Sequence, residues 1–293
     1  MDTLEIKAFA KVNLGLDVVR RLENGYHEVR MVMQTVNIHD TLTLKRAEKG
    51  IVLTTDNEAL PKDEDNLVYK AARLLMESCR IEEGVSIHLE KRIPMAAGMA
   101  GGSSDAAAVM KGMNTLFSLG LSEEELRRLG VKLGADIPYC IMGGTALAEG
   151  IGEKLTSLVA APDCFLLVAK PDIDVSTRYV YENLDLSAIE KHPDIDGMVE
   201  AIREGNLHGV TERMDNVLQS VTERKYPVIT RLKSFMEENG ACKALMSGSG
   251  PTVFGVYEEE EKAKAAKEKL SGKGLAGQCF VTTFIPKEEG YAG

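Results

Sequence analysis

Hydrophobic and polar positions alternate near the start of the chain. In "KVNLGLDVV" Val12, Leu14, Leu16 and Val18 share one side and Asn13, Gly15 and Asp17 the other. That period of two predicts a half-buried strand with a polar face. "RLENGYHEV" then carries Asn24-Gly25, a hairpin signal, before "VRMVMQTVNI" resumes as strand. Further strands are expected at "TLTLK" and "GIVLTT". In "DNLVYKAARLLMESC" Leu67, Ala71, Leu74 and Leu75 recur at helical spacing. "VSIHLEKRI" alternates again, with Val85, Ile87 and Leu89 inward.

A stretch crowded with small residues follows, "PMAAGMAGGSSDAAAVMKGMN". Pro94 ends the strand, Gly98, Gly101 and Gly102 permit unusual backbone angles, and Ser103 to Asp105 offer caps for a helix. "LSEEELRRLGVKLG" places Ser122 and Glu125 at capping-box spacing with Gly134 as a stop, and Asp136 precedes a short helix. The texture changes at "LVAAPDCFLLVAKP", so a boundary is placed near residue 160, dividing the chain into 1–160 and 161–293. The second segment reads strand, helices to about residue 239, "CKALMS", a turn "GSGP", "TVFGVY", a helix and a last strand. That β-α-β-β-α-β order predicts a ferredoxin-like layer and, with the first segment, a two-domain α+β fold. "EEEEKAKAAKEKL" mixes charge signs at helical spacing and reads as a solvated helix face.

Charge and cysteine usage narrow the chemistry. Among 293 residues, 45 acidic against 35 basic give a net charge of -10, which argues against nucleic acid or an anionic membrane as partner and for a small molecule. No apolar run approaches the roughly 18 residues of a membrane helix, and the N-terminus lacks the apolar core of a signal peptide. Five scattered cysteines support neither disulfides nor a zinc site, so a cytoplasmic protein is expected. His39, His88, His192 and His208 show no ligand spacing.

Strand, small-residue loop and helix N-terminus together can cradle an anion, because first-turn N–H groups are unpaired and carry the positive end of the helix dipole. The plainer reading of such a loop is a close-packed turn. It is neither GxxxxGK[ST] nor GxGxxG, which excludes the P-loop and the dinucleotide fingerprint. Pro-x-x-x-Gly-x-x-Gly-Gly-Ser-Ser-x-Ala-Ala resembles the second motif of the GHMP kinases, the superfamily of galactokinase, homoserine kinase, mevalonate kinase and phosphomevalonate kinase. "AFAKVNLGLDVVRRLENGYHEV" is similar to the first motif and "MSGSGPTVFGVY" to the third. Together with "GADIPYCIMGGTALAEGIGE" they resemble the branch that phosphorylates the 2-hydroxyl of a cytidine diphosphate conjugate of methylerythritol in non-mevalonate isoprenoid synthesis. The likeness runs from about residue 7 to about 257.

The resemblance implies an N-terminal ribosomal-protein-S5-like nucleotide domain, a C-terminal ferredoxin-like domain, and ATP with Mg2+ as cofactors. Lys91, Pro94, Met95, Ala96, Ala97, Gly98, Met99, Ala100, Gly101, Gly102, Ser103 and Ser104 would surround ATP, with Ser104 or Ser103 near the metal. The family more often has glycine at positions 96, 97 and 100; alanine there is expected to keep ordinary backbone angles. Lys11 and Asp136 match the catalytic pair. For transfer through a loose transition state the position of the carboxylate matters more than its basicity, and Asp136 can also cap its helix. Tyr26 and His27 can stack on and hydrogen-bond to a flat heterocycle, and with Asn13, Thr177 and Tyr181 they match the substrate pocket, Tyr181 as the opposing ring. The turn Ser247 to Gly250 would reach the point where the two ligands meet. A monomer or homodimer is expected. Two other readings remain open: a kinase of homoserine or a mevalonate-type alcohol, which has no base to stack, and a nucleotide-binding sensor without turnover.

Overall fold

A computed structural model describes residues 2–287; Met1 and residues 288–293, the outer ends of the two expected segments, lie outside the described residues. In chain order the elements are β1 (Thr3–Arg21), β2 (His27–Ala47), β3 (Ile51–Thr55), α1 (Leu67–Cys79), β4 (Gly84–Glu90), α2 (Gly101–Leu116), α3 (Glu123–Gly130), α4 (Ile137–Met142), β5 (Thr145–Gly150) and β6 (Lys154–Ser157). There follow β7 (Phe165–Lys170), α5 (Thr177–Glu182), α6 (Ile195–Arg203), α7 (Leu207–Glu212), β8 (Asp215–Asn216), α8 (Gln219–Lys225), α9 (Val228–Glu238), β9 (Lys243–Met246), β10 (Val253–Tyr257), α10 (Glu260–Ser271) and β11 (Gln278–Thr283).

Local chemistry explains most boundaries. The β1–β2 hairpin turns at Gly25 with φ +84°, a conformation glycine adopts without cost. Asn66 caps α1 by accepting from Val68 N–H, and α3 starts with the Ser122–Glu125 capping box. That helix ends at Gly130, short of the expected stop at Gly134. A Cβ at Gly130 would lie 2.6 Å from Ile137 Cγ2, so the glycine there serves close packing against α4. On α10, Lys264 pairs with Glu260 and Glu261, while Ala263, Ala266 and Leu270 face inward.

The first sheet has seven strands, ordered β3-β4-β2-β1-β8, with β5 also on β2 and β6 on β5. The second has four antiparallel strands ordered β11-β7-β10-β9, the ferredoxin-like order. The fold is thus α+β with two sheets. Two residues from the second half of the chain, β8, pair in parallel with Gly15 and Leu16 of β1.

Contrary to the half-buried expectation, β1 is covered on both sides. Its register shifts between Asn13 and Gly15, and that irregularity divides the alternating residues. Val12 and Leu14 pack with Leu166, Val168 and Phe254 of the second sheet. Leu16 and Val18 join the larger core with Ala106, Val109 and Met113 of α2. Before the shift Lys11 and Asn13 face a cleft inside the molecule, whereas after it Gly15 abuts Ile195 and Met198 and Asp17 pairs with His192 at 2.7 Å. Among the described residues no helix is long and apolar enough to cross a membrane.

Candidate active site

One cavity of about 1090 Å³ gathers residues from distant parts of the chain. Its floor is Lys11, Asn13 and Leu16 of β1 with His27, Val29 and Met31 of β2. Pro94, Met95, Ala96, Ala97, Gly98 and Ala100 form one wall, continued by Gly101, Gly102 and Ser103 at the start of α2. Lys91, Asp136, Tyr26, Thr177 and Tyr181 complete the predicted set on its surface. Two predicted residues stand apart. Met99 is buried behind the loop, with its carbonyl accepting from Lys11 N–H at 3.1 Å. Ser104 is buried as well: its hydroxyl donates to Phe9 O at 2.6 Å, so of the two serines Ser103 is the one on the cavity wall.

The loop does not keep ordinary backbone angles. Ala96 has φ +48° and Ala100 φ +58°, flanking Gly98 at +70°. For alanine this left-handed region costs about 1–2 kcal/mol per residue. Left-handed residues alternating with others curl a chain so that successive N–H groups converge, a concavity suited to anions. Gly98 is fixed by space as well as angle, since a Cβ would lie 2.3 Å from Ser247 O. Ser247 Oγ donates to Gly98 O at 2.9 Å, so the turn Ser247 to Gly250 braces the loop from the second sheet. Ser103 to Asp105 do not cap α2. The helix begins at Gly101 after a left-handed Ala100 without a side-chain cap, and its first backbone hydrogen bond runs from Ser104 N–H to Ala100 O. The N–H groups of Gly101, Gly102 and Ser103 are left at the cavity wall without a partner in a preceding turn.

At the centre, Lys11 is 5% exposed and donates through Nζ to Asn13 Oδ1 at 2.7 Å. Asp136 occupies the N-cap position of α4, with Pro138 in the first turn, yet its side chain makes no capping bond. The carboxylate is therefore available to the cleft. Beneath it, burial and then the Asp136 charge push the Cys140 thiol up to about 12, so that cysteine is inert at neutral pH.

At the other end the His27 and Tyr181 rings lie 5.2 Å apart at 33°, so Tyr181 faces His27 rather than Tyr26. Burial, followed by the Arg21 charge, lowers the His27 pKa, which keeps the imidazole neutral at pH 7 with one donor and one acceptor. Burial and then Asp136 raise the Tyr181 phenol, so it stays protonated. Tyr26 is 59% exposed at the mouth. Thr177 Oγ1 shares a hydrogen bond of 2.8 Å with Ser249 Oγ, joining α5 to the third-motif turn.

Sequence reasoning missed several residues of this wall: Arg21, directly opposite His27 in the β1–β2 ladder, Ser249, Asp105, and the apolar Leu60, Pro61 and Leu67. Only two of these carried a signal: the turn containing Ser249, and Asp105, read as a helix cap within the second motif. Among the described residues no group of three His, Cys, Asp or Glu side chains could hold a metal alone. The donor set fits magnesium arriving with nucleotide phosphates, because Ser103 and Asp136 share the cavity and Mg2+ ordinarily takes one or two protein ligands, phosphate oxygens and waters.

Known proteins share both sequence and architecture. The profile described as GHMP kinases N terminal domain matches residues 66–144, and that described as GHMP kinases C terminal matches residues 182–275. A Lachnospira eligens protein named 4-diphosphocytidyl-2-C-methyl-D-erythritol kinase is 53% identical over 98% of this chain and 100% of its own length. An Acetivibrio thermocellus protein of the same name is 47% identical over 97% of this chain and 100% of the relative. A solved structure titled 4-(cytidine 5'-diphospho)-2C-methyl-D-erythritol kinase superposes with TM-score 0.83 at 33% identity, covering 96% of this chain and 99% of the other. Homoserine kinase from Cytophaga hutchinsonii, at 23% identity, shares the fold with TM-score 0.80 over 97% and 95% of the two chains. With whole-length relatives at this identity, a braced phosphate-type loop and a cleft built from all three motifs, the chain belongs to the GHMP kinases and, within them, to the 4-diphosphocytidyl-2-C-methyl-D-erythritol kinase family.

Proposed function

We propose that this enzyme transfers the γ-phosphoryl group of ATP to the 2-hydroxyl of 4-diphosphocytidyl-2-C-methyl-D-erythritol. The observation that carries the reading is the single cavity in which an anion-binding loop, Lys11, Asp136 and a ring-lined pocket meet.

The loop and the first turn of α2 bind the triphosphate through backbone N–H groups, aided by the helix dipole. Small residues let the phosphates approach the chain closely. Lys11, held by Asn13, supplies positive charge where negative charge develops on the transferred group. Asp136 accepts or orients the proton of the acceptor hydroxyl. The acceptor oxygen bonds to the γ-phosphorus as the bridging bond to the β-phosphate breaks; the proton passes to Asp136 and ADP leaves. Bound magnesium supplies charge neutralisation on the phosphates, with Ser103 and Asp136 as its available protein donors. Tyr26, His27 and Tyr181 bind the base by stacking and hydrogen bonding, and Thr177 lines the path between base and reacting hydroxyl. We assign the nucleotide lobe to residues 1–160 and the remaining lobe to 161–293.

The test is ADP formation by purified protein with ATP, magnesium and the cytidylyl substrate, with the product's phosphate placed by phosphorus NMR. Homoserine and mevalonate should give no turnover. Natively folded protein that forms no ADP with the cytidylyl substrate would overturn the reading.

A further inference from the structure

The phosphate loop is a short excursion whose two ends come close together, and a buried trio of charges lies where they meet. Asp40 of β2, fully buried, accepts from the backbone N–H groups of Arg92 at 2.5 Å and Ile93 at 2.8 Å, the residues that lead into Pro94. Its other carboxylate oxygen pairs with Lys91 Nζ, and the same ammonium donates to Asp105 Oδ2 at 2.7 Å. Asp105 is the fifth residue of α2, one turn beyond the end of the loop. Lys91 and Asp105 have side chains 6% and 4% exposed. The entry and the exit of the loop are thus tied through one ammonium ion to one strand of the first sheet.

We propose that Asp40, Lys91 and Asp105 form a clasp that holds residues 94–100 in their nucleotide-binding shape, with Asp40 and Asp105 as positioning residues. The inference rests on the loop being the ATP site. Two alanines in the left-handed region persist only where the surroundings over-determine the backbone. The loop is gripped at its tip by Ser247 Oγ on Gly98 O and in its rear limb by Lys11 N–H on Met99 O. The clasp supplies the third grip, at the base. Two carboxylates and one ammonium leave an excess negative charge in a site with almost no water. Burial accordingly pushes the Asp105 carboxyl well above the usual range despite Lys91, with the Asp40 charge adding to the rise. Loss of Lys91 would leave two buried carboxylates uncompensated, whereas loss of either carboxylate's charge keeps one ion pair but weakens the tie between the loop's entry and α2. On this assignment Lys91 has two of its three donors committed to protein, and its contribution to nucleotide binding is chiefly through loop shape.

The test uses Asp40→Asn and Asp105→Asn in the full chain. Calorimetric titration with ADP and magnesium, needing no acceptor substrate, reads the loop alone. Both variants should bind ADP at least about tenfold more weakly than wild type. In steady-state assays KM for ATP should rise by a similar factor, with KM for the cytidylyl substrate within about twofold. Asp105→Asn keeps the Asp40–Lys91 pair and both backbone bonds, so it serves if Asp40→Asn does not fold. Unchanged ADP affinity in a folded variant, or equal rises in both KM values, overturns the clasp. Wild-type protein that binds no ADP overturns the assignment of the loop itself, a different failure.

Discussion

Ala96 and Ala97 are neighbours with opposite expected responses to the same change. Ala96 is exposed and sits at φ +48°, so Ala96→Gly gives up little burial and relieves about 1–2 kcal/mol of backbone strain. Added freedom in the unfolded chain takes back about 0.4–1 kcal/mol, leaving a net gain of about 0.5–1 kcal/mol. Ala97 is 3% exposed and lies outside the left-handed region. Ala97→Gly loses a buried methyl, about 0.8 kcal/mol, and pays the same unfolded-state cost, for a net loss of about 1–2 kcal/mol. At roughly 2.1 cal/mol/K per residue the 293-residue chain has an unfolding entropy of about 0.6 kcal/mol/K. Scanning calorimetry should therefore show Tm about 1–2 °C higher for Ala96→Gly and about 2–3 °C lower for Ala97→Gly. If both variants shift the same way, the strain at Ala96 is not what sets its stability.

Three further outcomes follow from the site and its supports. Asp136→Ala should lower kcat by about 10²–10⁴ while ADP affinity, read by calorimetry, stays within twofold. Cytidine diphosphate should compete with the cytidylyl substrate, and Tyr181→Ala should weaken that inhibition at least tenfold without altering KM for ATP, as measured by initial rates. Lys111 on α2 has its pKa lowered, chiefly by burial, from 10.5 to about 7. Between those values the unfolded chain binds more protons than the folded one, so stability rises with pH across that window. Lys111→Met should remove this dependence and raise stability at pH 7 by on the order of a few kcal/mol, checked by urea unfolding at pH 7 and pH 9.

Where structure depends on neighbours in sequence, the chain could be read directly. The Asn24-Gly25 turn, the Ser122–Glu125 capping box and the alternation of Val85, Ile87 and Leu89 each express a local rule, and each appears in the fold. The loop was recognisable as strand, small residues and helix, but its alanine angles were not. Strain of that kind is paid by contacts from elsewhere, here Ser247 and Lys11. Nor could the sequence distinguish Ser103 from Ser104, because α2 begins at Gly101 and its rotation turns Ser104 toward Phe9. Asp40 carried no signal at all. A carboxylate becomes structurally decisive only when tertiary packing removes its water and brings an ammonium to it, and the partners here are 51 and 65 residues away in the chain, the second through Lys91.

The two-residue strand β8 has a mechanical consequence. Asn216 pairs beside Leu16 on the strand that carries Lys11 and Asn13, and its side-chain amide donates to Met246 O and Gly248 O at 2.8 Å each. The turn that braces the 94–100 loop is thereby pinned to the strand that carries Lys11. The loop and the Lys11 strand thus share one frame, like two jaws of a gauge, and this pinning predicts that their spacing changes little when ligands bind. Small-angle scattering curves with and without both ligands should superimpose, and catalysis in this enzyme becomes a matter of filling a gap of preset width.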